Sequence, residues 1–344
     1  MMRLLKVALA LGLVLSLTLV AWLALRRSAP RLEPARPFVE AGDDAQVDGL
    51  ALHPDGLTLV VAISHRDTQP AGVVRFYRLA DGVESRPALT YADQLRALAV
   101  SPDGTFLALG FYNSPPRLVW LDGSRERALG TEYLSVLTID LSSDGQWVVT
   151  GGVRTQVWRV ADGSRVHALE GHHGLFSPDG TLLAVERDDL TVELWRTADW
   201  TRVRELRVNG DDTASELAFS PDGTRLAALS FWKTLRLWRV SDGALRCERQ
   251  VGRNQDDYGP GDLSWAGDGA TVFATGRGSA LQSFDGDDGA LLGAVTPDAS
   301  EPGSVFGVPS ARFSGSTVLA SRGGWLAAGD RHGAVASWKP AQPP

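Results

Sequence analysis

The sequence predicts an all-β body of seven similar four-stranded units behind a single N-terminal transmembrane helix. Three observations carry this expectation. A turn signal of the form Ser-Pro-Asp-Gly recurs along the 344 residues. Each recurrence is followed by short alternating strands, one of which ends in an aromatic residue. An uncharged apolar run of 19 residues, Val7 to Leu25, precedes them all.

The apolar run comes first. As a helix it spans roughly 28 Å at about 1.5 Å per residue, close to the thickness of the bilayer core. Trp22 sits near one end, where an indole suits the headgroup boundary. A cleaved signal peptide is the competing reading, since such peptides end at small residues. Leu19-Val20-Ala21 is a poor site of that kind, and Arg27-Ser28-Ala29 puts a charge where a small residue is needed. No cysteine follows the run directly, which excludes a lipoprotein anchor. An uncleaved anchor over residues 1–27 is therefore expected, with residues 28–36 as a Pro- and Arg-rich linker. Arg3 and Lys6 favour a cytoplasmic N-terminus, while Arg26, Arg27, Arg31 and Arg36 pull the other way. On balance the expectation is a single-pass protein with its body exported, periplasmic or extracellular.

The repeats follow. The turns are His53-Pro54-Asp55-Gly56, Ser101-Pro102-Asp103-Gly104, Ser142-Ser143-Asp144-Gly145, Ser177-Pro178-Asp179-Gly180 and Ser220-Pro221-Asp222-Gly223. Ala266-Gly267-Asp268-Gly269 is weaker, and Ser321-Arg322-Gly323-Gly324 is a degraded seventh. Pro presets φ, Asp bonds its own backbone and Gly accepts φ > 0, so each reads as a tight hairpin turn. An apolar strand follows each turn. The next strand ends in Tyr77, Trp120, Trp158, Trp195, Trp238, Phe284 or Trp338. Further turns such as Val160-Ala161-Asp162-Gly163 lead into one more strand. Four-stranded units repeating every ~40–45 residues predict a β-propeller, here seven-bladed over residues 37–340, with 341–344 as a tail. The last unit lacks its outermost strand. Pro37-Phe38-Val39-Glu40 is strand-like and unassigned, so it is expected to pair there and close the ring.

These units resemble WD repeats, and the resemblance runs from roughly Arg36 to Lys339. It is best in the fourth unit, with Gly171-His172, then Phe176-Ser177-Pro178-Asp179-Gly180, then Asp189 six residues before Trp195. The resemblance implies that His172, Asp189 and Trp195 join a buried hydrogen-bond network. The other units depart from the pattern: they lack Gly-His, and their aromatic residue is followed by Arg or Lys in several cases.

Charge and composition exclude several functions. The net charge is −7. Up to Arg36, six basic residues face Glu33 alone, so the remaining body carries −12. An acidic body argues against nucleic-acid binding, which needs a basic surface to displace counterions. A single cysteine, Cys247, rules out a disulfide framework. The six histidines form no zinc spacing. Phe284-Asp285-Gly286-Asp287-Asp288-Gly289 has the wrong ligand spacing for a calcium loop and reads as a turn. No nucleophile elbow or phosphate-binding loop is present. Neither a cofactor, a metal nor a catalytic residue is expected.

The predicted top face carries two loop sets. Those entering each innermost strand are acidic, and those between the second and third strands are mostly basic. Arg66, Arg154, Arg187, Lys233, Arg277 and Arg331 from the second set form a candidate partner-binding face. Asp256 and Asp257 join it from the first set, with Tyr112, Trp232 and Tyr258 as aromatic anchors. Local salt bridging and solubility are the plainer reading of the same charges. The expected function is a membrane-anchored, non-catalytic scaffold for protein partners. An enzyme or cofactor-binding propeller, loosely resembling quinoprotein or lactonase propellers, and a structural part of an envelope assembly stay open as alternatives.

Overall fold

The computed structural model describes residues 36–39, 44–131, 135–187, 191–207, 214–251, 261–275, 281–295, 317–322, 325–330 and 335–338. The apolar run Val7 to Leu25 lies outside them. Among the described residues no helix is long and apolar enough to cross a membrane.

The chain opens with β1 (Arg36–Val39). Blade 1 is β2 (Ala45–Leu52), β3 (Thr58–His65), β4 (Gly72–Arg78) and β5 (Glu84–Tyr91). Blade 2 is β6 (Leu95–Val100), β7 (Phe106–Phe111), β8 (Arg117–Trp120) and β9 (Glu126–Ala128). Blade 3 is β10 (Thr138–Leu141), β11 (Trp147–Gly151), β12 (Thr155–Arg159) and β13 (Arg165–Leu169). Blade 4 is β14 (His173–Phe176), β15 (Leu182–Glu186), β16 (Thr191–Arg196) and β17 (Thr201–Arg207). Blade 5 is β18 (Ala214–Phe219), β19 (Arg225–Ser230), β20 (Thr234–Arg239) and β21 (Leu245–Gln250). Blade 6 is β22 (Leu263–Trp265), β23 (Thr271–Thr275), β24 (Leu281–Asp285) and β25 (Leu291–Val295). Blade 7 is β26 (Thr317–Arg322), β27 (Trp325–Asp330) and β28 (Val335–Trp338), completed by β1.

Each blade is an antiparallel sheet of four strands. The first strand of each blade touches that of the next, from β2 through β6, β10, β14, β18 and β22 to β26, and β26 touches β2. The ring is therefore closed, which is the arrangement of a β-propeller with seven blades. The expected closing strand is β1: Arg36 pairs with Ser337, Pro37 with Ala336 and Val39 with Val335. Arg36, read as linker from the sequence, is the first residue of that strand.

The apolar cores lie between blades. Val60, Val74 and Phe76 of blade 1 pack with Leu95, Leu107 and Phe111 of blade 2. Ala184 and Leu194 of blade 4 pack with Phe219, Leu226 and Trp238 of blade 5. A single sheet exposes one of its apolar faces, so stacking against neighbours is what buries it. Close approach sets the spacing of blades 3 and 4, since a Cβ at Gly151 would lie 2.1 Å from the His172 carbonyl oxygen.

The recurring turn works as a small hydrogen-bonded device. In blade 2 the Ser101 hydroxyl donates to Asp103 at 2.7 Å and accepts the Phe106 N–H at 3.0 Å. Asp103 in turn accepts the Thr105 N–H at 3.0 Å, while Gly104 takes φ 74°. Blades 4 and 5 repeat this with Ser177, Asp179 and Thr181, and with Ser220, Asp222 and Thr224. The seventh turn at Gly323-Gly324 lies outside the described residues. The calcium-like stretch is likewise a turn: Asp285 accepts the N–H groups of Asp287 and Asp288, and Asp288 accepts that of Ala290.

Antiparallel pairing divides the molecule into two ends. The described turns after the first and third strands of the blades, most of them Asp-Gly turns, lie at one, the turn end. The loops between second and third strands, and the entries to each innermost strand, lie at the other, the loop end.

Candidate interaction face

The loop end carries the exposed apolar side chains that cluster. Val136 N–H donates to the Phe111 carbonyl at 3.1 Å, and Leu137 N–H donates to that of Gly151 at 2.8 Å. These two bonds bring Tyr112, Leu137 and Val153, distant in sequence, to neighbouring positions on blades 2 and 3. They are 45%, 55% and 68% exposed. Arg154 stands exposed beside them. A narrow cleft beneath is lined by Leu129, Val136, Gly152, Arg154 and Trp158 among others. On blade 5, Phe231 and Trp232 stand edge to face with ring centroids 6.2 Å apart, and both are exposed. The remaining exposed large apolar residues, such as Leu57 at a turn or Leu245 and Leu291 on outermost strands, stand apart from these clusters.

The residues singled out from sequence divide four ways. Arg66, Tyr112, Arg154 and Trp232 lie exposed at the loop end. Arg66 Nη2 donates to Gln46 at 3.3 Å, and the Arg96 guanidinium lies 4.8 Å over the Tyr112 ring. Arg187 is at this end but engaged, 3.1 Å from Glu170 and 3.2 Å from Glu193. Lys233 does not belong to the face: it is fully buried. Its backbone takes φ 62°, which turns the side chain inward under Gly261, where a Cβ would lie 2.7 Å from Lys233 Nζ. Asp256, Asp257, Tyr258, Arg277 and Arg331 lie outside the described residues.

Blade 4 arranges its polar groups differently from what the resemblance implies. His172 is exposed, with Nδ1 2.8 Å from the Gly152 carbonyl oxygen. The buried histidine is His173, because β14 begins there and alternation turns it inward. The Trp195 indole donates to Glu193 at 3.0 Å rather than to a histidine. Asp189 lies outside the described residues.

A second polar group rings the loop end of the innermost strands. His173, Glu216 and Asp262 each stand six residues before the turn aspartate of their blade, so they occupy equivalent places on blades 4, 5 and 6. His173 Nε2 lies 3.8 Å from Glu216 Oε1, and His173 Nδ1 has no hydrogen-bond partner. Burial pushes His173 down to about 4. Burial, reinforced by the Asp262 and Glu186 carboxylates, pushes Glu216 well above the usual carboxyl range. Glu216 thus offers His173 no settled counter-charge. Across the ring, burial raises Asp48 to about 6 against the opposing influence of Ser64, Arg96 and Gln46. Among the described residues no group of His, Cys, Asp or Glu is placed to hold a metal ion.

The sequence reading sought charge and missed Leu137, Val153 and Phe231. Their signal was available: apolar residues inside loops that lack turn chemistry. Chemically, the cluster on blades 2 and 3 offers apolar contact area with a guanidinium at its rim. That suits recognition of another polypeptide surface.

Comparison with known proteins is consistent with this fold. Residues 200–239, which run from the end of the blade 4 turn to the third strand of blade 5, match the family described as WD domain, G-beta repeat. The chain is also similar to Protein HIR1 of Mycosarcoma maydis, 31% identical over 87 residues. That stretch is 23% of this chain and 9% of HIR1, so the chain spans only a small part of that relative. Together the two matches support a WD-repeat family for this propeller.

Proposed function

We propose that this chain is a membrane-tethered, non-catalytic scaffold that binds protein partners through the loop end of its propeller. WD repeats generally mediate protein–protein interaction, and one blade matches such a repeat. The observation that carries the reading is the set of exposed side chains Tyr112, Leu137, Val153 and Arg154, held on three loops of blades 2 and 3 at the loop end. Aromatic and apolar anchors with an Arg at the edge are the usual makings of a binding hot spot.

The polarity of β1 supports the placing of this face. Arg36 pairs with Ser337 near the end of β28, which is the turn end of blade 7. Chain arriving from an N-terminal anchor therefore enters at the turn end. Ten residues separate Leu25 from Arg36, a reach of roughly 30–35 Å when extended. An anchor so attached keeps the turn end towards the membrane and leaves the loop end facing away, open to partners.

The test is crosslinked affinity purification of the anchored protein from its native membrane, comparing wild type with Val153→Asp/Arg154→Glu. The expected result is loss of specific partners with an unchanged thermal melt. Full retention of every partner by the double variant refutes the reading.

A further inference from the structure

At the turn end the channel holds a feature that protein recognition at the loop end does not use. The innermost strands of blades 3 to 6 line an open cavity of about 630 Å³, within the range of small-molecule sites. Its walls are mainly apolar and include Phe176, Phe219 and Trp265, with turn residues such as Pro178 and Pro221 at the mouth. Among the described residues one charged side chain stands in this wall, Asp140. Its Oδ2 accepts the Phe176 N–H at 2.8 Å, which fixes the carboxyl across the junction of blades 3 and 4.

The repeat shows how unusual that residue is. Asp140 lies four residues before the turn aspartate of its blade. The equivalent places in the other blades carry Ala51, Ala99, Leu175, Ala218, Ser264 and Leu319. A repeat that calls for a small or apolar residue thus breaks once, into a carboxyl facing an apolar cavity. Desolvation opposes its charge and raises it to about 6. No other titratable side chain lines the cavity among the described residues. A carboxyl in such a place costs stability unless something repays it, and perturbed groups in clefts concentrate at functional sites.

We infer that the turn-end cavity binds a small organic cation, a primary ammonium on a compact aromatic or aliphatic body. The ammonium meets the Asp140 carboxylate, and the apolar body packs against Leu175 and Ala218, which stand in phase with Asp140 on the neighbouring inner strands and are part-exposed in the cavity wall. The apolar part of the wall favours such a ligand by burial of its hydrocarbon body. This site is independent of the loop-end face and stands or falls separately from it.

The test is calorimetric titration of the full-length chain in detergent with benzylamine and with its neutral isostere, benzyl alcohol. At pH 7.5 benzylamine should bind at least about tenfold more tightly, the worth of a charge-assisted hydrogen bond. That advantage should disappear as the pH falls well below about 6, where the Asp140 carboxyl takes up its proton. Asp140→Asn should abolish the preference and leave the alcohol's affinity unchanged. Equal affinities for the two probes on wild type, or no saturable benzylamine binding at 10 mM, overturn the inference, and neither result requires a variant to fold.

Discussion

Replacing His173 gives the sharpest check on the electrostatics of the loop end. The imidazole is 5% exposed and its Nδ1 lacks a partner, so the folded protein keeps the ring neutral down to about pH 4. An unfolded histidine titrates near 6.5. Above pH 6.5 the ring is neutral in both states and has no influence on the equilibrium. Below it the unfolded chain accepts a proton that the folded chain refuses, and stability falls until the folded group titrates near 4. A difference between 6.5 and about 4 corresponds to roughly 3 kcal/mol. Asp48 and Asp140, both raised to about 6, act with the opposite sign. Each stabilises the fold below the unfolded carboxyl value and loses that contribution as the pH rises through about 6. Wild-type stability therefore mixes the two trends, and the comparison of variant with wild type separates them. Urea unfolding of wild type and His173→Leu at pH 7.5 and pH 4.5 supplies the measurement. At pH 7.5 the variant should match or exceed wild type, since an unpartnered buried polar atom is removed. At pH 4.5 it should be more stable by about 2–3 kcal/mol. Glu216→Gln should leave this difference in place, because burial rather than the neighbouring carboxyl causes it. Identical pH dependence in His173→Leu and wild type refutes the reasoning.

Two further outcomes follow from the repeat itself. Ser101→Ala removes a buried hydroxyl that donates to Asp103 and accepts from Phe106, so the melting temperature should fall by about 2–6 °C; a shift under about 1 °C contradicts the role given to the turn. Deleting Pro37 to Gly42 strips the closing strand from β28 and leaves an open edge. Losing about three ladder bonds should lower the melt by roughly 5–10 °C, and an unchanged melt sinks the closure argument.

Much of the architecture was legible because its causes are local. The Ser-x-Asp-Gly tetrads are turns by their own backbone chemistry, which is why Asp103, Asp179 and Asp222 could be read without coordinates. Period-2 alternation and the aromatic strand ends gave the strands between them, and counting strands left one vacancy that Pro37 to Val39 fills. The site was less legible. Lys233 looked like a surface cation, but its left-handed backbone turns it under Gly261. The resemblance put His172 inward, but the start of β14 fixes the phase so that His173 is buried and His172 exposed.

The sequence by itself determined the repeat, the number of blades and the identity of the strand that closes the ring, because hairpin turns and alternation are properties of neighbouring residues. Only the tertiary structure decided which residues share a surface. The loops of Tyr112 and Leu137 are joined by a backbone bond between blades 2 and 3, and the break in the repeat at Asp140 gains a chemical meaning only when four inner strands line a cavity beside it. Both depend on contacts across blade boundaries, and sequence spacing within one repeat carries no information about what the next repeat presents to it.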